Sequence, residues 1–447
     1  MASFYAASGV DMLDVNIGTY QFVTWTSATP TQAEGDYRSL GDQSYRVQIG
    51  GDGITLGPDG LPASGVVNRI SELQGSALVA DVRGFSVPGT EMADWVRTGD
   101  TRAAYSTLLA GHDGIQGSPE ADVVKGFSGN DYINAGAGVD TAVFGGAASD
   151  FHFVTYAGTT AALPLTATAY NRDGLDKFVQ VENVAFQNGA PDVYPTDVRP
   201  LASVTETFRP LDYIASYPDL INWLGTNANP AFDHYVYSGF FEGRRTEFSG
   251  AEYIASQPDL AYMGANGDAG AGHYIAHGIR EGRTVSFHGN EYIASYPDLM
   301  AWLGADPNAG AQHYLQNGRA EGRTVTFDGL EYIASYADLS RTIGADANAG
   351  AEHYIEAGRA QGRQASFDGL QYIASYADLI GWLGANSDAG ATHYIEHGRA
   401  EGRADSFDPV QYLNNYADLR TWLGNNQEAA TVHFIQHGFA EGRTDNA

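Results

Sequence analysis

The stretch Phe287–Arg323, FHGNEYIASYPDLMAWLGADPNAGAQHYLQNGRAEGR, decides the fold because it is one of six copies. Tyr213, Tyr253, Tyr292, Tyr332, Tyr372 and Tyr412 mark the copies at spacings of 40, 39, 40, 40 and 40. A fixed period of this length signals a stacked array, since one unit cannot bury its own apolar face and needs neighbours to complete a core. Tyr213, Tyr217, Leu220 and Leu224 share one face of a helix. Ser249-Gly-Ala-Glu252 and Asp328-Gly-Leu-Glu331 are capping boxes, and Pro210 and Pro409 suit a first helical position. Pro218, Pro258 and Pro297 then break the helix, because proline removes a backbone donor and clashes one turn back. The expected unit is a short helix, a kink or break, a second segment, and a further helix that is capped by Asn308 or Asp388, carries His-Tyr and stops at a glycine such as Gly318. That is a helical hairpin with a short extended return.

Each unit repeats an aspartate (Asp219 through Asp418), a histidine (His234 through His433) and an arginine (Arg244 through Arg443). An active site occurs once, whereas a packing solution recurs. These residues are therefore expected to be structural: Asp in a first helical turn, Arg as its ion-pair partner, His as a hydrogen-bonded wedge between units. Trp223, Trp302, Trp382 and Trp422 also share one phase, broken by Tyr262 and Thr342. Tryptophan at helical spacing is expected in the core, with sugar stacking as the alternative.

Upstream, Tyr20–Thr26, Tyr45–Ile49, Ile54–Leu56, Val66–Ile70 and Leu78–Val82 alternate like strands between glycine-rich turns, and Thr90–Leu109 changes to helical spacing divided at Gly99. Asp113, Asp122, Asp131 and Asp140 follow at a spacing of nine, within LAGHDGIQ, GSPEADVVK, GFSGNDYIN and AGAGVDTAV. The pattern is G-G-x-G-x-D-x-U-x, with glycines for the turns and an apolar residue pointing inward from a short strand.

These nonapeptides resemble those of the repeats-in-toxin family, which wind a parallel β-roll that binds calcium between turns. The resemblance implies calcium as cofactor and metal sites shared by Asp113 with Asp131 on one edge and by Asp122 with Asp140 on the other. Gly111, Gly129 and Gly138 would supply turn carbonyls, as the oxygen ligands of calcium require. The pattern departs from the family at Ser118, Glu120 and Phe127, where glycine is usual. Residues 141–187, with Asp173-Gly-Leu-Asp176 and Val181–Phe186, resemble the segment that closes such rolls. The forty-residue unit resembles a repeat of large secreted bacterial proteins and brings no defined activity.

The fold class expected is mixed multidomain: a β-rich N-terminal region (1–108), a short calcium-binding parallel β-roll with closing strands (109–187), a linker (188–208) and an α-helical repeat array (209–447). A net charge of -30, with Lys125 and Lys177 the only lysines, repels nucleic acid and anionic lipid and attracts divalent cations. The absence of cysteine excludes disulfides and thiolate zinc sites. Met1–Tyr20 does not read as a signal peptide, nothing reads as a membrane span, and His437–Ala447 merely finishes the sixth unit. Export to the cell exterior without a cleaved N-terminal signal is the expectation. No G-x-S-x-G, H-E-x-x-H or phosphate loop points to an enzyme. The expected protein is a secreted, calcium-stabilised bacterial surface or adhesion protein. Its partner would be a cell-surface polysaccharide or its own copies, as a homo-oligomer or filament. The alternative is a carbohydrate-binding module of a surface or phage-like spike.

Overall fold

The computed structural model describes residues 1–14, 16–38, 43–190 and 193–446. They form two compact units: Met1–Arg209 with Phe232–Glu242, and Pro210–Ala231 with Gly243–Ala447.

The first unit begins with β1 (Ser3–Ala6) and an antiparallel meander of β2 (Thr24–Thr29), β3 (Gln32–Arg38), β4 (Ser44–Leu56), β5 (Pro62–Gln74) and β6 (Ala77–Pro88). Two of the expected strands, Tyr45–Ile49 and Ile54–Leu56, are one strand, β4, whose register shifts at Gly50/Gly51. Gly51 lies so close to the Val66 carbonyl that a Cβ would not fit. Tyr20–Phe22, read as the start of a strand, instead lie in a 3-10 turn capped by the Asn16 side chain. α1 (Gly89–Thr98) and α2 (Thr101–Leu108) divide at Gly99, whose φ of 68° ends the first helix.

The chain then enters the roll. β7 (Gly114–Gln116), β8 (Val123–Val124), β9 (Tyr132–Asn134) and β10 (Thr141–Phe144) alternate between two sheets, β7 parallel to β9 and β8 parallel to β10. A hairpin of β11 (Phe151–Tyr156) and β12 (Thr159–Pro164) and the helix α3 (Ala167–Asp173) interrupt it. β13 (Asp176–Val179) and β14 (Asn183–Phe186) then rejoin it, parallel to β9 and β10. β1 runs parallel to β7 on one side and antiparallel to β6 on the other, so the N-terminal meander and the roll share a twelve-stranded mixed sheet and a common core.

Residues 188–208, expected as a linker, carry β15 (Asp197–Pro200), antiparallel to β14, and β16 (Thr205–Thr207), parallel to β11. Each is the last strand of its sheet. An edge strand leaves one row of backbone groups to solvent, so it tolerates the proline and polar residues that suggested a linker.

In the second unit the third repeat is representative. Helices Gly289–Ala294, Pro297–Leu303 and Pro307–His313 lead into a five-residue π-helical turn, Tyr314–Gly318. The expected hairpin is thus four short helical pieces. The expected break falls before Pro297, which is the first residue of its helix, and Asp306 rather than the expected Asn308 caps the next by accepting from the Ala309 amide. Tyr292 is fully buried, and Gly318 abuts its hydroxyl where any Cβ would collide. The Glu291 carboxylate accepts the Gly329 amide of the following repeat, stitching neighbours together.

The recurrent polar residues pair as the packing reading requires, with one correction. Arg323 bonds Asp298 at 2.9 Å and Glu321 at 2.7 Å and lies over the Tyr296 ring. The histidine, expected between units, pairs within its own: His313 Nδ1 is 2.9 Å from the Tyr292 hydroxyl. The tryptophans are a larger correction, because they are not core. Leu299 and Leu303 take the inward face of their seven-residue helix, which turns Trp302 outward.

Candidate functional site

The roll brings its aspartates into two ladders. On one edge, the Ala2 amide donates to Asp113 Oδ1, the Asp113 amide to Asp131 Oδ1 at 2.9 Å, and the Asp131 amide to Asp176 Oδ1 at 2.9 Å. On the other, the Val10 amide donates to Asp122 Oδ1 at 2.6 Å, the Asp122 amide to Asp140 Oδ1 at 2.8 Å, and the Asp140 amide to Glu182 Oε2 at 2.8 Å. The parallel register produces this: one coil further on places each carboxylate over the amide of the residue before it in the stack. Phe127 sits at φ 66°, the left-handed conformation for which the nonapeptide normally uses glycine.

The glycines Gly111, Gly129 and Gly174 stack at the turns of the first edge, each so close to the next that a Cβ on Gly129 or Gly174 would strike the carbonyl of the preceding turn. Gly138 packs in the same way on the Glu120 carbonyl of the second edge. The two edges are not equivalent. Among the described residues Asp113 Oδ2, Asp131 Oδ2 and Asp140 Oδ2 are buried with no hydrogen-bond partner, whereas Asp122 Oδ2 accepts from the Ser118 amide and hydroxyl. Ser118 and Glu120, two of the three departures from the repeat, are thus both engaged: Glu120 Oε2 accepts the Gly9 amide.

Buried carboxylates with an idle oxygen are costly. Burial pushes Asp131 up to about 8, with Asp113 adding repulsion, and raises Asp113, Asp140 and Asp176 as well. A hard divalent cation removes that cost, and the donor set, carboxylates among turn carbonyls, is what calcium takes. Asp113 and Asp131, with the turns at Gly111 and Gly129, fit such an ion; on the second edge only Asp140, beside the turn at Gly138, keeps an idle oxygen, because both oxygens of Asp122 are already engaged. The bound ion would neutralise the stacked carboxylates and hold successive turns together.

Asp176 and Glu182 extend the ladders beyond the four nonapeptide aspartates, and sequence reasoning placed them only in the closing segment. The signal was present: Gly174-Leu-Asp176 repeats the Gly-x-Asp grouping of Gly111-His-Asp113 and Gly129-Asn-Asp131, displaced by the inserted hairpin. Asp173 of the same motif is occupied elsewhere, accepting from the Gly145 amide and pairing with Arg172.

Residues 109–142 match the family model of the RTX calcium-binding nonapeptide repeat, in four copies. No curated protein matches the chain. Calcium is the cofactor of this repeat, and proteins that carry it are generally secreted. Among the described residues no helix is long and apolar enough to cross a membrane.

Proposed function

We propose that the chain is a secreted, calcium-stabilised bacterial surface protein that binds polysaccharide through its helical array. The observation that carries this reading is the exposure of an aromatic residue at one phase in five of the six repeats, the fourth having Thr342 there. Trp223, Trp302, Trp382 and Trp422 are 66%, 70%, 69% and 70% exposed, and Tyr262, at the same position of the second repeat, is 77% exposed. Packing does not account for a large aromatic residue that recurs in water. A recurring flat ring suits the stacking of sugar rings, and single weak contacts along a chain of sugars add by effective concentration. His313, His393 and His433 stand edge-on to their tryptophans at 5.6–5.8 Å and hold the indoles in place.

The test is affinity electrophoresis of the calcium-loaded protein in gels containing neutral or acidic polysaccharides. Retardation is expected in at least one polysaccharide and should be lost in the Trp302→Ala/Trp382→Ala double variant. Stability should stay within about 0.5 kcal/mol of the parent for each change, as for other surface sites. Undiminished retardation of the double variant would refute the role of the indoles.

A further inference from the structure

A second feature lies in the first unit and shares no residue with the aspartate ladders. Between α2, the 3-10 turn Ile17–Phe22 and the inner face of the meander is a cavity of about 180 Å3. Ile70, Val82, Ala104 and Leu108 form part of its wall, and the rings of Tyr20, Tyr37 and Tyr105 another part. Glu72 on β5 opens into it. Glu72 is half-buried beneath a helix, beside Ile70 on the same strand, an unusual place for a carboxyl group. Among the described residues nothing offsets it: no hydrogen bond or ion pair reaches Glu72, and no basic residue lines the cavity. Burial alone pushes its carboxyl up to about 7; burial also raises the phenols of Tyr20 and Tyr105, and the charge of Glu72 adds to it, which places both hydroxyls within its field.

The site therefore offers one carboxylate, several aromatic rings and no positive group. Tyr20 stands edge-on to Tyr37 at 5.9 Å, and Tyr105 stacks on Phe127 at 6.1 Å, so the rings that flank the carboxyl are held by further aromatic contacts. Ring faces and a carboxylate both attract positive charge. A hard metal ion does not suit these walls: Asn16, Thr19 and Thr101 also line them, but Asn16 Oδ1 accepts the Gly18 amide, Thr101 Oγ1 accepts the Ile17 amide and the Thr19 hydroxyl donates to the Asn16 carbonyl, which leaves a single carboxylate well short of six oxygen ligands. The volume suits a small molecule rather than a peptide or a polymer. We propose that this cavity binds a small organic ammonium ion, with Glu72 as counter-ion and the tyrosine rings as its cage.

The experiment is calorimetric titration of the full-length, calcium-loaded protein with tetramethylammonium, with choline, and with 3,3-dimethylbutan-1-ol, a neutral molecule of choline's shape. The two ammonium ions are expected to bind at one site per chain, at least about tenfold more tightly than the alcohol. Glu72→Gln, which preserves shape, should weaken ammonium binding at least about tenfold and leave the alcohol unchanged. Tyr20→Phe should retain binding because the ring face remains, and Tyr20→Leu should weaken it. This pair decides the matter if circular dichroism shows Glu72→Gln misfolded. Absence of ammonium binding, equal binding of the alcohol, or Glu72→Gln and Tyr20→Leu both binding like the parent would overturn the proposal.

Discussion

Ser295 shows how much a small side chain does in the array. Its hydroxyl donates to the Glu291 carbonyl and accepts the amides of Thr326 and Phe327 at 2.9 and 3.0 Å, and Ser216, Ser256, Ser335 and Ser375 accept the equivalent pairs. Ser295→Ala leaves two amides without their acceptor, so urea denaturation should find a loss of about 1–3 kcal/mol. A loss near zero would mean that water replaces the hydroxyl freely. Glu291 makes a pH-dependent contribution. Burial pushes its carboxyl up to about 7 from 4.5, with Asp328, Asp388 and Glu252 adding repulsion. Ionising it therefore costs more in the fold than in the unfolded chain: its contribution is intact below 4.5 and is lost as pH rises through about 7. Glu291→Gln keeps an oxygen for the Gly329 amide and removes the titration. It should be more stable than the parent by about 1–3 kcal/mol near pH 8 and equal to it near pH 4. A difference that does not change with pH would contradict the assignment.

At the scale of elements, the roll is three separated stretches wound into one stack: residues 2–12, 111–144 and 174–186. If Asp176 belongs to the calcium-binding ladder, Asp176→Asn should lower calcium affinity by about tenfold or more, because affinity follows the charge of the ligand set. The amide keeps an oxygen for the Asp131 backbone, so the calcium-free protein should not lose stability. Unchanged calcium affinity would confine the site to the nonapeptides. The nonapeptide aspartates were legible in the sequence because their period is local, and so was the phase of the six tyrosines. The joining of β1 to β7 was not, since a pairing of Ser3 with Gly114 across the whole meander leaves no trace in periodicity. Nor was the outward turn of Trp302: in a helix of seven residues, Trp302 and its neighbour Leu303 compete for the same apolar phase. The π-helical turn Tyr314–Gly318 also escapes, because nothing in residue preference separates it from an α-helical end.

For the whole molecule, the boundary between the two units matters more than the boundary between repeats and what precedes them. Phe232–Glu242, the rear of the first repeat, belongs to the first unit. There Phe232 packs against Phe208 and Tyr156, Lys177 pairs with Asp233, and Phe240 stacks on His152 at 5.4 Å. A cut before the first repeat, giving a fragment of residues 210–447, would strip Phe232 and Phe240 of these partners and expose them. A cut that leaves Gly243–Ala447 keeps five repeats, more than the three or so an array needs for stability. The shorter fragment should therefore be the better behaved: monomeric on a sizing column, helical by circular dichroism, and unmoved in melting temperature by a calcium chelator. In the full chain the same chelator should lower a first, β-rich melting transition and leave the helical one in place, because the stacked carboxylates lie wholly in the first unit and repel one another without their cation. A helical transition that fell together with the β-rich one would show that the array depends on the roll for its stability.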